Sequence, residues 1–230
     1  MTVNVGENAE KIRTEIEEIC QKINRDPNEI KIVAVTKYVS IDRAKAAIDA
    51  GITHLGENRE EGLSEKFATI ENDVTWHFIG SLQTRKVKNI IDKVEYIHSL
   101  DRLSLAEEIN KRADKTMKCF VQVNVSGEES KQGLTPDEVI GFIEQLQKFE
   151  HIQIEGLMTM APYTSDEAII RNCFRDLKQL QLNVQALQLS YAPCKELSMG
   201  MSNDYKIAIE EGATFIRIGS SLVGNEVRGE

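Results

Sequence analysis

The sequence predicts an α/β protein built as a (β/α)8 TIM barrel with an extra N-terminal helix. Three observations carry that expectation. Short apolar runs alternate with amphipathic stretches along the chain, which makes the sheet parallel. Eight such strand candidates fall within about 200 residues, the usual lower size of a closed barrel. No Gly/Ser-rich or Pro-rich linker, repeat or low-complexity segment interrupts them, so residues 1–230 are read as a single domain.

The elements follow in order. Ile12, Ile16, Ile19 and Ile23 recur at helical spacing among charges between Glu7 and Asn24, and Asp26-Pro27 stops this opening helix. Ile30 to Thr36 is an apolar strand, followed by a helix over Ile41 to Ala50. His54-Leu55 with Glu60 to Ile70, Trp76 to Ile79 with Val87 to Ile91, and Tyr96 to Leu100 with Leu103 to Ala113 repeat the strand–helix unit. Lys118 to Val125 precedes a helix that starts after Thr135-Pro136, and Asp101 and Thr135 stand at cap positions. Ile152 to Leu157 leads to Glu167 to Leu182, Glu196-Leu197-Ser198 to Tyr205 to Glu211, and Phe215 to Ile218 ends the series. His54-Leu55 and Leu197-Ser198 are very short, and a count of seven strands would reopen the doubly wound open sheet.

Composition narrows the function. Lys plus Arg number 28 against 37 Asp plus Glu, a net charge of −9, which argues against nucleic acid or an anionic membrane as partner. Cys20, Cys119, Cys173 and Cys194 stand far apart without a C-x-x-C pair, as expected of reduced thiols and not of a zinc site or disulfide framework. Neither a targeting segment nor a membrane span is visible, so the chain is read as soluble and cytoplasmic.

In a barrel, residues just after the strands converge on one face. Lys37 closes the run Ile30-Lys31-Ile32-Val33-Ala34-Val35-Thr36. Held in apolar surroundings, its amine would lose hydration and become nucleophilic, able to form a Schiff base. The plainer reading leaves the ammonium in water at the strand end. Other polar or glycine-rich strand ends are Gly56-Glu57-Asn58, Gly80-Ser81, Asn124 to Ser126, Met158-Thr159-Met160, Met199-Gly200-Met201-Ser202-Asn203 and Gly219-Ser220-Ser221. The loops after the last two strands are where barrels place phosphate, with small residues that open backbone amides to an anion. For Gly200 and Gly219 singly, turn geometry is a sufficient explanation.

Arg217 shares its strand face with Gly219, opposite Ile216 and Ile218, so its guanidinium enters the barrel and requires partners. An amine at one strand end, a phosphate cradle at another and an arginine between them point to pyridoxal 5'-phosphate, with lysine on the aldehyde and arginine at the ring nitrogen. An ordinary core ion pair is the plainer account of Arg217.

The segments Ala34-Val35-Thr36-Lys37, Gly56-Glu57-Asn58, His77-Phe78-Ile79-Gly80-Ser81-Leu82-Gln83, Ser130-Lys131-Gln132-Gly133, Gly156-Leu157-Met158, Leu197 to Asp204 and Arg217-Ile218-Gly219-Ser220 resemble the pyridoxal phosphate homeostasis protein family. The resemblance runs from about Ile30 to Gly224. It implies a barrel like the alanine racemase N-terminal domain, the cofactor held as an internal aldimine on Lys37, phosphate contacts from Ser202, Gly219 and Ser220, and Arg217 facing the pyridine nitrogen. The cofactor-binding set is therefore Lys37, Asn58, Met199, Gly200, Ser202, Arg217, Gly219 and Ser220, with no catalytic residue and no metal ligand assigned. Departures from the family pattern are Arg85 in place of a frequent asparagine, and Ser221-Leu222-Val223-Gly224, which lacks a frequent aromatic before the glycine.

Other residues are set aside. His54, His77, His98 and His151 are read as satisfied structural histidines, with His77 alone a candidate for the interior. Arg85-Lys86-Val87-Lys88 is taken as a solvated face. Glu57, Glu60, Glu61, Glu128 and Glu129 receive no catalytic role. Met158, Met160, Met199 and Met201 flank the mouth, as ring contacts or as core filling.

A racemase of this architecture takes a second base, a tyrosine, from a C-terminal β-domain across a dimer. With no such domain expected after the barrel, Tyr38, Tyr163 and Tyr205 are the candidates to substitute, and nothing in the sequence places one opposite Lys37. The favoured expectation is a carrier that holds pyridoxal phosphate reversibly and takes part in intracellular vitamin B6 homeostasis, with effects on amino-acid pools. Alternatives are a pyridoxal phosphate-dependent amino-acid racemase and a cofactor-free Schiff-base aldolase. Expected partners are the cofactor and, transiently, apoenzymes that receive it, with the chain a monomer.

Overall fold

The computed structural model describes residues 3–70 and 73–226. Helix α1 (Val5–Lys22) opens the chain, capped by the Asn4 side chain, which accepts from the Glu7 amide. Its buried stripe of Val5, Ala9, Ile12, Ile16, Ile19 and Cys20 packs on the barrel's outer layer. Strands β1 (Lys31–Val35), β2 (His54–Glu57), β3 (Thr75–Phe78), β4 (Tyr96–Leu100), β5 (Met117–Gln122), β6 (Ile152–Met158), β7 (Glu196–Met201) and β8 (Phe215–Ile218) are all parallel and close into one barrel in chain order. Closure rests on the β1–β8 ladder, where Val33 is level with Arg217 and Ala34 with Ile218. The predicted barrel and opening helix are therefore present, and the open sheet is excluded.

Crossovers are α2 (Ile41–Asp49), α3 (Glu60–Thr69), α4 (Leu103–Arg112), α5 (Val139–Gln145), α6 (Glu167–Ala186) and α7 (Tyr205–Glu210), with α8 (Ser220–Val223) after β8. The third crossover differs from expectation. Thr84–Asn89 forms a 3-10 helix without a following α-helix. Its Lys86 is held by Glu60 at 2.9 Å and Glu61 at 3.3 Å on α3, which ties the basic cluster to the neighbouring crossover. Asp101 is not a cap: Arg102 holds that position on α4 without a side-chain cap bond, and Asp101 pairs with Arg102 at 2.6 Å instead. Thr135 does stand at a cap, before the 3-10 turn Pro136–Glu138, and donates both its amide and its hydroxyl to the Glu138 carboxylate at 2.8 Å.

The two short strands are real and longer than they read. β2 continues through Gly56 and Glu57, and a Cβ at Gly56 would come within 2.9 Å of Val33 Cγ1, so the missing side chain is what lets β1 and β2 pack. β7 continues to Met201 through an irregularity between Ser198 and Met201. Gly200 makes that irregularity possible: its φ is +90°, and a Cβ there would lie 2.6 Å from Ala208 Cβ and 2.9 Å from Tyr205 Cα.

Apolar side chains segregate into two layers. A large outer cluster between sheet and helices contains the strand residues Ala34, Ile216 and Ile218. A small inner one holds Val33, Phe120, Met158 and Phe215, with Tyr96 against it. The rest of the interior is polar, with Arg217, Ser198, His77 and His98 all buried. All four cysteines are free and buried. Among the described residues no helix is long and apolar enough to cross a membrane.

Candidate functional site

The carboxyl ends of the strands form a mouth centred on Lys37, two residues beyond β1. Of the two placements the sequence left open for Lys37, the structure shows the exposed one. The five apolar residues that bury β1 end at Val35, Thr36 is the last interior position, and Tyr38 turns the chain away with φ +65°. The Lys37 Nζ stands 5.6 Å from the Tyr38 ring centroid, and the Arg59 guanidinium 5.7 Å from the same ring.

Two cavities meet at Lys37. One, of about 370 Å³, is bounded by Val35, Lys37, Val39, Gly219 and Ser220. The other, of about 530 Å³, is bounded by Lys37, Asn58, Phe78, Gly80 and Ser81. Both sizes suit a small cofactor. Gly80 is required here, since a Cβ would fall 2.3 Å from the Asn58 carbonyl oxygen.

The loops after β7 and β8 come together. Ser221 donates its amide to Ser202 Oγ at 3.3 Å, while Ser220 and Ser221 remain exposed. Gly219 lies against Val35, with a Cβ there 3.6 Å from Val35 Cβ. Lys37, Gly219 and Ser220 therefore border one space, with Ser202 tied to its rim.

Deeper along β8, Arg217 is 5% exposed. Its Nη1 donates to Ser198 Oγ at 2.6 Å and its Nη2 to the Thr159 carbonyl at 2.9 Å. Burial lowers its pKa to about 10, partly offset by the Asp204 charge. Burial raises the Asp204 carboxyl, opposed by the bond it accepts from the Met201 amide at 2.6 Å and by Arg217. Because Val33 is level with Arg217, Val35 at the end of β1 stands two residues, roughly 7 Å, nearer the mouth, and Lys37 lies in the turn beyond it.

Met199 does not join this group by its side chain. Ser198 turns inward, so Met199 faces outward and is fully buried in the outer cluster. Gly200 serves the β7 irregularity described above. Two of the three tyrosines are remote from the amine's chemistry: Tyr205 donates to Glu15 on α1, and Tyr163 is 96% exposed.

Several interior residues escaped the sequence reading. Ser198 and His98 line up on Arg217, and the signal for them was a polar residue at an inward position of β7 or β4; Thr159, just beyond β6, adds only its backbone carbonyl, which no side-chain pattern announces. Glu57 is no loop carboxylate: it is 2% exposed, accepts from Thr36 Oγ1 at 2.6 Å, and pairs at 2.9 Å with Lys66, also 2% exposed. Among the described residues no group of His, Cys, Asp or Glu is arranged to hold a metal ion.

Fold and mouth together define a parallel eight-stranded barrel of the alanine racemase N-terminal type, and the family model "Alanine racemase, N-terminal domain" matches residues 8–227. A pyridoxal phosphate homeostasis protein of Aquifex aeolicus is 38% identical over 227 residues, covering 96% of this chain and 98% of that one. The chain belongs to the pyridoxal phosphate homeostasis protein family. Among solved structures, PipY of Synechococcus elongatus with PLP bound superposes with a TM-score of 0.80 at 32% identity, covering 91% of this chain and 100% of that one. An unknown protein from Bifidobacterium adolescentis superposes at 0.87 and 32% identity, over 95% and 94% of the two chains.

Proposed function

We propose that this protein binds pyridoxal 5'-phosphate at the barrel mouth and serves as a carrier in intracellular vitamin B6 homeostasis, without committed catalytic turnover. The observation that supports the reading is the register of β1 and β8, in which Val33 is level with Arg217 while the exposed Lys37 follows the carboxyl end of β1. The residues fit the group. Lys37 is the amine for its aldehyde, Ser202, Gly219 and Ser220 supply hydroxyl and amide donors for its phosphate, Arg217 faces its ring nitrogen, and Asn58 borders the adjoining space. A relative of the same fold, PipY, has a structure with PLP bound.

When bound, the cofactor supplies a reactive aldehyde and an electron-accepting ring. Arg217 stays cationic at neutral pH, even with its pKa lowered to about 10, and can only donate. A donor in that position leaves a ring nitrogen unprotonated and weakens the ring as an electron sink. Exposure of Lys37 favours reversible capture and release over chemistry in a sealed site. Met199 and Gly200 contribute through backbone and loop shape. Transfer to apoenzymes needs only transient contact at this open mouth, and a monomer suffices for it.

Titration of the purified chain with pyridoxal phosphate, followed by visible absorbance, tests the reading. The wild-type chain gains a band distinct from free cofactor and Lys37→Ala does not; an identical spectrum for the two would overturn it. Solvent deuterium entering the α-carbon of an amino acid, dependent on Lys37, would select the racemase instead.

A further inference from the structure

Three histidines on consecutive strands form a hydrogen-bonded chain through the barrel interior that ends on Arg217. His54 Nδ1 lies 2.9 Å from His77 Nε2, His77 Nδ1 lies 2.9 Å from His98 Nε2, and His98 Nδ1 lies 2.8 Å from Ser198 Oγ. Ser198 Oγ in turn accepts from Arg217 Nη1 at 2.6 Å. His77, His98 and Ser198 are essentially inaccessible. The far end opens on a cavity of about 300 Å³ at the amino-terminal face of the barrel, bordered by Arg13, Asn28, Lys31 and His54.

The polarity of this chain follows from one residue. A guanidinium has only donors, so Ser198 Oγ must accept from Arg217 and spends its single proton on His98 Nδ1. His98 then carries its proton on Nε2 and donates to His77 Nδ1, and His77 likewise carries its proton on Nε2 and donates to His54 Nδ1. The opposite direction would leave the serine proton without an acceptor in the chain. Neutral rings fit this arrangement, and burial holds His77 and His98 well below the ordinary histidine pKa, with burial also lowering His54. Stacking fixes the planes: His77 lies on Tyr96 at 4.6 Å and 4°, and His98 on Phe120 at 4.4 Å and 25°.

We propose that Ser198, His98, His77 and His54 form a positioning relay that locks the Arg217 guanidinium in one orientation through hydrogen bonds of fixed direction. Ser198 and the Thr159 carbonyl grip Nη1 and Nη2, and the histidines keep the serine hydroxyl turned so that it accepts from the arginine. The consequence at the mouth, that a bound pyridine ring meets an oriented donor, rests on the pyridoxal phosphate reading. The relay itself does not.

The test therefore has two arms. In the cofactor-free chain with ¹⁵N-labelled histidine, NMR should show His77 and His98 neutral and protonated on Nε2 at pH 7. Ser198→Ala should release His98 from that tautomer. Protonation on Nδ1, or spectra that Ser198→Ala leaves unchanged, would overturn the relay. In the pyridoxal phosphate-loaded chain, Ser198→Ala and His98→Leu should shift the visible band and weaken loading by about 2- to 12-fold, the worth of one lost hydrogen bond. His98→Gln, which keeps one acceptor and one donor and guards against misfolding of His98→Leu, should restore both. Unchanged loading and spectrum in Ser198→Ala and His98→Leu would refute the effect on the ring. Failure of the wild-type chain to load would remove the cofactor reading while the ring-nitrogen spectra still decide the relay.

Discussion

Lys66→Met probes the support beneath the mouth. Lys66 projects from α3 to Glu57 at the end of β2 with an N–O distance of 2.9 Å, and both side chains are 2% exposed. Glu57 also accepts from Thr36, the residue before Lys37, so one carboxylate joins α3, β2 and the mount of the amine. Removing the amine leaves that carboxylate buried without its counter-charge, a loss of about 3–5 kcal/mol. In a chain of this size each kcal/mol moves Tm by about 2–4 °C, which gives a drop of about 6–20 °C for Lys66→Met in scanning calorimetry. Lys66→Met combined with Glu57→Gln removes both charges and should recover at least half of the loss, because a neutral pair of similar volume has no ion to desolvate. A Lys66→Met chain melting within about 2 °C of wild type, or a double variant no better than the single one, would refute the reasoning.

Other outcomes follow from the same structure. Gly156→Ala sets a Cβ 1.8 Å from the Glu196 carbonyl oxygen, so β6 and β7 must separate; a loss of at least about 1–3 kcal/mol is expected in urea unfolding, and none would contradict the register. All four thiols are buried and raised by burial, Cys173 to about 11 and Cys194 to about 12, so a thiol reagent at neutral pH should label none in the native chain and all four in denaturant. His77 and His98 stay neutral in the fold while unfolded rings take up protons below about pH 6.5. Their stabilisation is therefore complete above that pH and falls as pH drops towards 5, by about 1.4 kcal/mol per unit for each ring. Urea midpoints that stay level between pH 6.5 and 5 would contradict this.

What could be read before the structure was whatever local pattern decides. Tyr96–Leu100 and Phe215–Ile218 match their expected limits because each is a short, mostly apolar run bounded by polar or small residues. Gly56 and Gly200 hid the true lengths of β2 and β7, since a glycine reads as a break when its purpose is close packing. For Lys37 hydrophobicity located the strand but left exposure undecided, because burial depends on where the barrel rim ends. Nothing in the sequence marks Lys66, because only the tertiary approach of β2 gives it Glu57. The histidines were judged one at a time, and their hydrogen-bonded line exists only because closure aligns β2, β3 and β4. Asp101 and Arg102 show the same limit at a helix start, where composition favours a cap that the backbone sets one residue later.

Borohydride reduction of the pyridoxal phosphate-treated chain, followed by peptide mapping, addresses the central claim most directly. A single stable adduct on Lys37, with no comparable labelling of other lysines, is the predicted result. An adduct spread over many lysines, or one that persists undiminished in Lys37→Ala, would contradict it.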